Sequence, residues 1–279
     1  MSATYTCRGY NRSRDEDLAE IPDFHDPLVR AAFMGDRYRT GAKKTQVKNL
    51  IQLDEHTPIS DQGGIGSCVA NGWCDGMEML MPANNTVQLS RRMMYWLCRR
   101  KEGTECRDDG TNIATAAYIS AHQGVCDERL CPYDGRTVED GGTVNDRPEL
   151  EAIYSGWHHR IDASLQIKTR DAKKRIKAIC ETIDRKHPVV GAICLGSAFW
   201  NPPASLNAAL GKPPAVTDDW HCIVFTGYAE LTDGNIWLVL RNSWGKDWGS
   251  NGHVMIAADY VADPDYCSEL VVPTGVPVF

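Results

Sequence analysis

Residues 61–68 read Asp-Gln-Gly-Gly-Ile-Gly-Ser-Cys, and this glycine-broken stretch runs directly into a segment with helical periodicity. Val69, Trp73, Met77 and Leu80 recur at steps of four, four and three, which is one face of an α-helix. The pattern predicts a loop that delivers Cys68 to the first turn of that helix. Unpaired backbone N–H groups and the positive end of the helix dipole there favour a thiolate over a thiol, and the thiolate is the nucleophile. Gly72 and Gly76 weaken a helix, so a neighbouring element is expected to pack closely against it. Taken alone, the stretch also fits an inert buried thiol, the common state of a single cysteine.

Two distant stretches answer it. His221-Cys222-Ile223-Val224-Phe225-Thr226-Gly227-Tyr228 is an apolar run that reads as a buried strand. A second strand, Ile236-Trp237-Leu238-Val239-Leu240, delivers Asn242-Ser243-Trp244-Gly245 into a turn before Trp248-Gly249. Cysteine chemistry needs a base for the thiol proton and a third group to fix the ring of that base, and His221 with Asn242 supply both. Gln62 six residues before Cys68, Gly66-Ser67-Cys68, a histidine leading a strand that ends Gly-Tyr, and the Asn-Ser-Trp-Gly turn together resemble the papain-like, or cathepsin-like, cysteine proteases, and most of all their bacterial branch. His221 and Asn242 follow Cys68 by 153 and 174 residues, against roughly 130–150 in that family, which implies loop insertions.

The resemblance runs from about Leu53 to about Val272. It implies an α+β, papain-like fold with a helical half, a β-sheet half and the active site in the cleft between them. It also implies a cysteine endopeptidase working through a Cys-His-Asn site and a thioester acyl-enzyme, with no cofactor and no metal. Cys68 would attack the peptide carbonyl, His221 would hold the proton and return it to the leaving amine, and a preformed thiolate–imidazolium pair is expected. Asn242 would set the tautomer of His221, Trp244 would cover that hydrogen bond, and the Gln62 amide with the Cys68 N–H would meet the oxyanion. Asp108-Asp109-Gly110-Thr111 falls where relatives pair with the substrate backbone, so Asp109, Gly110 and Thr111 are substrate-binding candidates, with Thr111 narrowing that wall. Trp220 and Cys222 fall where the family lines its pockets. Ile65 stands where relatives have a disulfide cysteine, Val69 where a tryptophan commonly follows the nucleophile, and Cys222 replaces a usual alanine. Two other readings use the same scaffold: a catalytically silent peptide-binding protein, or a transpeptidase that passes the acyl group to an amine.

At 279 residues, 42% hydrophobic and 24% charged, the chain is long enough for one large core or two half-domains sharing a cleft. A net charge of -7 argues against nucleic acid as a partner, since phosphate binding needs a basic face. No stretch approaches the ~20 apolar residues of a membrane span, and Met1–Cys7 lack a secretory apolar core. The expected partner is a peptide or protein substrate, and the expected state a monomer. Eleven cysteines leave at least one thiol free. Cys98 with Cys106, or Cys126 with Cys131, are close enough in sequence for local bridges, whereas Cys180, Cys194 and Cys222 read as small core hydrophobes.

In chain order, residues 1–45 form an N-terminal extension and 46–279 the peptidase domain, with a helical half about 60–135 and a β half about 136–279. The extension carries a short helical pattern over Asp26–Met34, expected to contact the cleft as a prosegment or to pack away from it as a strap. It is too short to match the family's usual large prosegment, yet Cys68 has sixty-seven residues before it, where mature relatives have roughly two dozen. Further helices are predicted from Ser90 to Arg100, from about Asn112 to His122, and around Ala172, Ile176, Ile179 and Ile183, the last with Lys173, Lys174, Arg175 and Lys177 on a solvated face. Residues 188–195 read as a strand and 201–218 as a loop.

Overall fold

The computed structural model describes residues 9–25, 48–232 and 234–275. Its helices are α1 (Asp15–Ala19), α2 (Cys68–Glu78), α3 (Arg91–Glu102), α4 (Ile113–His122), α5 (Leu150–Ser155), α6 (Ala172–Asp184) and α7 (Ala258–Ala262). Its strands are β1 (Lys48–Gln52), β2 (Ala163–Gln166), β3 (Val189–Cys194), β4 (Ala209–Leu210), β5 (Trp220–Glu230), β6 (Ile236–Arg241), β7 (His253–Ala257) and β8 (Cys267–Thr274). Helices α3 and α4 begin where local chemistry demands. The Ser90 hydroxyl accepts from the Met93 N–H at 3.0 Å, and Asn112 Oδ1 accepts from the Thr115 N–H at 2.8 Å. Gly103, at φ 75°, closes α3 in the left-handed conformation.

The strands form one sheet in the order β2-β8-β3-β5-β6-β7-β4, with β1 added alongside β5. All pairs are antiparallel except β4 with β7. The apolar run of β5 lacks polar alternation because both faces are covered. Cys222 and Val224 face a core shared with α2, α3 and α4, together with Val190, Ala192 and Val271. Ile223 and Phe225 face a second core with Val189, Ile193, Leu270, Val272 and the apolar residues of α6 and α7. The period of two along β5 therefore separates the two halves of the molecule.

Some expectations change. The stripe on α2 predicted one buried face, but all eleven of its residues are buried, because α2 is packed between the sheet and α3 and α4. Its glycines carry the contact to the sheet. A Cβ on Gly72 would lie 3.3 Å from the Cys222 sulfur, and one on Gly76 3.1 Å from a Val190 methyl. Arg175 does not join the lysines on the solvated face of α6. It is buried, its guanidinium donating to the carbonyls of Val261 (2.9 Å) and Cys267, because the strand-to-helix corners there leave carbonyls that need donors. The predicted helix over Asp26–Met34 lies outside the described residues. All ten described cysteines are thiols, so neither Cys98 with Cys106 nor Cys126 with Cys131 is bridged. Cys194 and Cys222 are buried, and Cys180 is partly so.

Candidate active site

Cys68 is the first residue of α2, and the loop ahead of it is held from both halves. Gly63 sits at φ +58° with its Cα against the Gly135 carbonyl, a position where a Cβ would lie 2.1 Å from that oxygen, so only glycine fits. The Gly66 N–H donates to both carboxylate oxygens of Asp108 (3.0 and 3.1 Å). Tyr133 donates to the Gln62 carbonyl at 2.7 Å and meets the Ser67 hydroxyl at 2.6 Å. From the sheet half, the Gln62 N–H donates to the Ser243 carbonyl at 2.8 Å and the Ser243 hydroxyl donates to Gln62 Oε1 at 2.7 Å. Gln62 Nε2 donates to the Ile65 carbonyl at 2.9 Å, which keeps its amide beside the Cys68 loop.

His221 stands near the start of β5, and Asn242 follows the end of β6. Asn242 Oδ1 accepts from the Ser243 N–H at 2.8 Å, which fixes the amide orientation, and it lies 2.7 Å from His221 Nε2. Nε2 is therefore the protonated nitrogen, and the neutral ring carries its lone pair on Nδ1. Among the described residues Nδ1 has no hydrogen-bond partner. The N–H of Cys222, the next residue, lies near enough to the Cys68 thiol to pull its pKa down, so Cys68 sits beside the start of β5 where His221 stands.

Burial pushes the Cys68 thiol up to about 12, against the lowering effect of the Cys222, Val69 and Cys68 N–H groups. Burial also pushes His221 down to about 4, although Asn242 pulls the other way. Burial thus works against the helix-start effect, and desolvation in the covered site favours the uncharged forms of both groups.

Aromatic rings wall the histidine. Trp244 lies 4.9 Å from its ring, Phe199 5.8 Å, and Trp200 stacks on Trp244 at 5.0 Å. Trp244 is only 1% exposed and packs beside the His221 ring. Phe199 and Trp200 were missed in the sequence. Their signal was two adjacent aromatics at the mouth of a Pro-rich loop. Among the described residues, no group of three or more His, Cys, Asp or Glu is arranged to hold a metal ion, and no helix is long and apolar enough to cross a membrane.

The description "Papain family cysteine protease" fits residues 47–272. The chain belongs to the papain family of cysteine proteases. It is 25% identical over 228 residues to an uncharacterized peptidase C1-like protein of Acanthamoeba polyphaga mimivirus, covering 80% of this chain and 71% of that protein. With procathepsin L of Rattus norvegicus it shares 28% identity over 211 residues, 73% of this chain but only 57% of the relative. The crystal structure of xylellain, a cysteine protease from Xylella fastidiosa, superposes with a TM-score of 0.73 at 19% identity, covering 99% of this chain and 98% of that one, a likeness of fold.

In this papain-family fold the cleft is occupied by the chain's own residues 9–13. The Thr111 N–H donates to the Gly9 carbonyl at 3.0 Å, and the Asn11 N–H donates to the Thr111 carbonyl at 2.8 Å, so Tyr10 pairs with Thr111 as an added parallel strand. Asn11 Nδ2 also donates to the Asp109 carbonyl at 2.9 Å. Thr111 does not narrow this wall as expected, since its hydroxyl turns away to Glu102 at 2.7 Å and leaves its backbone free to pair. Gly110 adopts φ +76° and donates its N–H to the Tyr95 hydroxyl at 2.9 Å, turning the wall residues outward. A Cβ on Gly9 would lie 2.4 Å from the Gly66 carbonyl and 3.0 Å from the Cys68 nitrogen, so Gly9 lies directly over the start of α2. The Tyr10 ring sits 6.3 Å from that of Trp220. Cys222 is buried between β5 and Gly72.

Proposed function

We propose that the chain is a cysteine endopeptidase whose cleft is closed by its own N-terminal segment. One observation carries this reading: His221, next to the Cys222 N–H that acts on the Cys68 thiol, has its Nε2 tied to Asn242 and its Nδ1 left with its lone pair. In the open site His221 Nδ1 takes the thiol proton as Cys68 attacks the peptide carbonyl. The tetrahedral oxyanion is met by Gln62 Nε2 and the Cys68 N–H. His221 then protonates the leaving amine, leaving a thioester, and draws a proton from the water that hydrolyses it. Asn242 holds the ring, and Trp244 keeps water from that hydrogen bond. Asp109, Gly110 and Thr111 supply the wall along which substrate backbone lies.

Asn242→Ala is expected to retain measurable turnover because it orients the base, whereas His221→Ala removes the base. Gln62→Ala should lower kcat by about 10²- to 10³-fold with a small change in KM. Steady-state kinetics on one peptide substrate check both, and near-native turnover by His221→Ala would refute the assignment.

The covering segment is not a substrate in place, because the Gly9 carbonyl is held by the Thr111 N–H. Truncating a buried aromatic costs about 3–5 kcal/mol, so Tyr10→Ala should loosen the segment and speed hydrolysis of a small peptide by at least about tenfold. Unchanged hydrolysis would show that the segment does not restrict entry. Peptide binding without any hydrolysis, in parent and variant alike, would favour the silent peptide-binding reading.

A further inference from the structure

The three most exposed large apolar side chains among the described residues stand together. Leu150 (56% exposed), Tyr154 (70%) and Trp157 (53%) lie at steps of four and three along α5 and the 3₁₀ turn Gly156–His159 that continues it, so they share one helical face turned to solvent. An exposed apolar stripe of this kind marks an interaction surface. Ile153, on the same face, lines a pocket of about 460 Å³ that is floored by the buried Trp96 and Leu97 and rimmed by the exposed Arg100, Lys101 and Arg147. No carboxylate is among the lining residues, in a chain whose net charge is -7. Arg100 stands over the Trp96 ring at 5.3 Å and Lys101 over the Tyr118 ring at 4.0 Å. Arg100 has one exposed ion-pair partner, Glu105 at 3.4 Å, whereas Lys101 and Arg147 have none among the described residues. At the other end of the stripe Arg160 stacks on the Trp157 ring at 3.9 Å. Glu102, next to Lys101, holds the Thr111 hydroxyl of the cleft wall, but no residue of that wall lines the pocket.

We propose that this face is a docking site for an acidic segment of a partner protein. Its carboxylates enter the pocket between Arg100, Lys101 and Arg147, and a large apolar side chain beside them lies on Tyr154 and Trp157. The proposal does not depend on the peptidase reading. Charge complementarity selects the occupant, since three cations with no lining carboxylate attract acidic side chains, and an arginine can meet a carboxylate with two parallel N–H donors. The rings of Trp96 and Tyr118 hold two of those cations in place beforehand, which lowers the ordering cost of binding. Shape favours a peptide over a membrane surface. A pocket with a buried floor admits a projecting side chain, whereas a flat leaflet would touch only the rim, and a chain of net charge -7 is repelled by an anionic leaflet. Tryptophan, tyrosine and arginine are also the residue types that carry most binding energy at protein interfaces, and all three stand here.

The experiment follows the fluorescence anisotropy of two labelled peptides, Asp-Glu-Asp-Leu-Phe and Lys-Lys-Lys-Leu-Phe, on addition of the full chain. The acidic peptide should bind and the basic one should not. Arg147→Glu and Lys101→Glu should each weaken binding by about tenfold or more, and Trp157→Ala by about fivefold or more. All three side chains are exposed, so the thermal transition should stay where it is. Added salt should weaken binding to the parent chain as well, a readout that needs no variant. Equal binding of both peptides, no binding of either, or binding of the acidic peptide unchanged by Arg147→Glu and Trp157→Ala would overturn the proposal. Co-sedimentation with phosphatidylserine vesicles that those two variants lose, without any peptide binding, would assign the face to a membrane and overturn it as well.

Discussion

Cys68→Ala is expected to abolish peptide hydrolysis, a fall on the order of 10⁴-fold or more, and to leave the protein folded. The size follows from the role, since nothing else in the pocket offers a nucleophile at that place. The Cys222 thiol is buried against Gly72, one helical turn along from Cys68. The fold should tolerate the change because it removes one sulfur and no bond between backbone groups, and the loop is held by Asp108, Tyr133 and Ser243 independently of the thiol. Loss of activity accompanied by loss of the thermal transition would mean a structural cysteine, and retained hydrolysis would mean a different nucleophile.

Arg241→Met is expected to destabilise the protein by about 3–5 kcal/mol, seen as a fall in Tm of roughly 6–20 °C. Arg241 ends β6 and is fully buried, with Nε on Asp75 of α2 at 3.0 Å, Nη1 on Glu55 at 2.5 Å and Nη2 on the Pro58 carbonyl at 2.7 Å. Asp75 also accepts from Arg91 at 2.5 Å and from the Ser60 hydroxyl at 3.1 Å, and Arg91 pairs with Glu78. Removing Arg241 leaves two carboxylates buried with too few donors, which is why breaking such a pair is far more costly than the pair itself is stabilising. The cluster ties the helix that starts at Cys68 to the strand that delivers Asn242, so kcat should fall as well. Glu55 adds a pH signature. Burial would raise its carboxyl, but hydrogen bonds and charge from His253 and Arg241 hold it at about 2. Its folded value lies below its unfolded one, so its contribution is complete above about pH 4.5 and is lost as pH falls towards 2. Urea unfolding of parent and variant across that window checks the sign.

The reacting residues were legible because each sits in a short stretch whose local pattern is strong. Examples are the glycine turn before Cys68, the unbroken apolar run after His221 and the Asn-Ser-Trp-Gly turn. Caps such as Ser90 and Asn112 were legible for the same reason, since they act within one helical turn. What escaped depends on pairings far apart in the chain. β1 is a strand because it finds the free edge of β5 through Tyr228 and Gly227, and nothing in Lys48–Gln52 signals that. Arg175 looked like its exposed neighbours, and only the carbonyls of residues 261 and 267 draw it inward. The Asp26–Met34 pattern lies outside the described residues, and the described residues that occupy the cleft, Gly9 to Ser13, are polar and aperiodic. They are recognisable only once Thr111 and Glu269 are known to face them. The burial of Cys68, which raises its thiol against the effect of the helix terminus, cannot be read from Cys68 and its sequence neighbours.

The most direct test of a histidine-activated Cys68 under a removable cover is peptide mapping after reaction with a cysteine-directed epoxide. Parent, Tyr10→Ala and Tyr10→Ala/His221→Ala chains are compared. The account predicts an adduct on Cys68 and not on the exposed Cys106, formed faster in Tyr10→Ala than in the parent and lost in the double variant. Labelling of Cys106 as fast as Cys68, or an undiminished rate at Cys68 without His221, would contradict it.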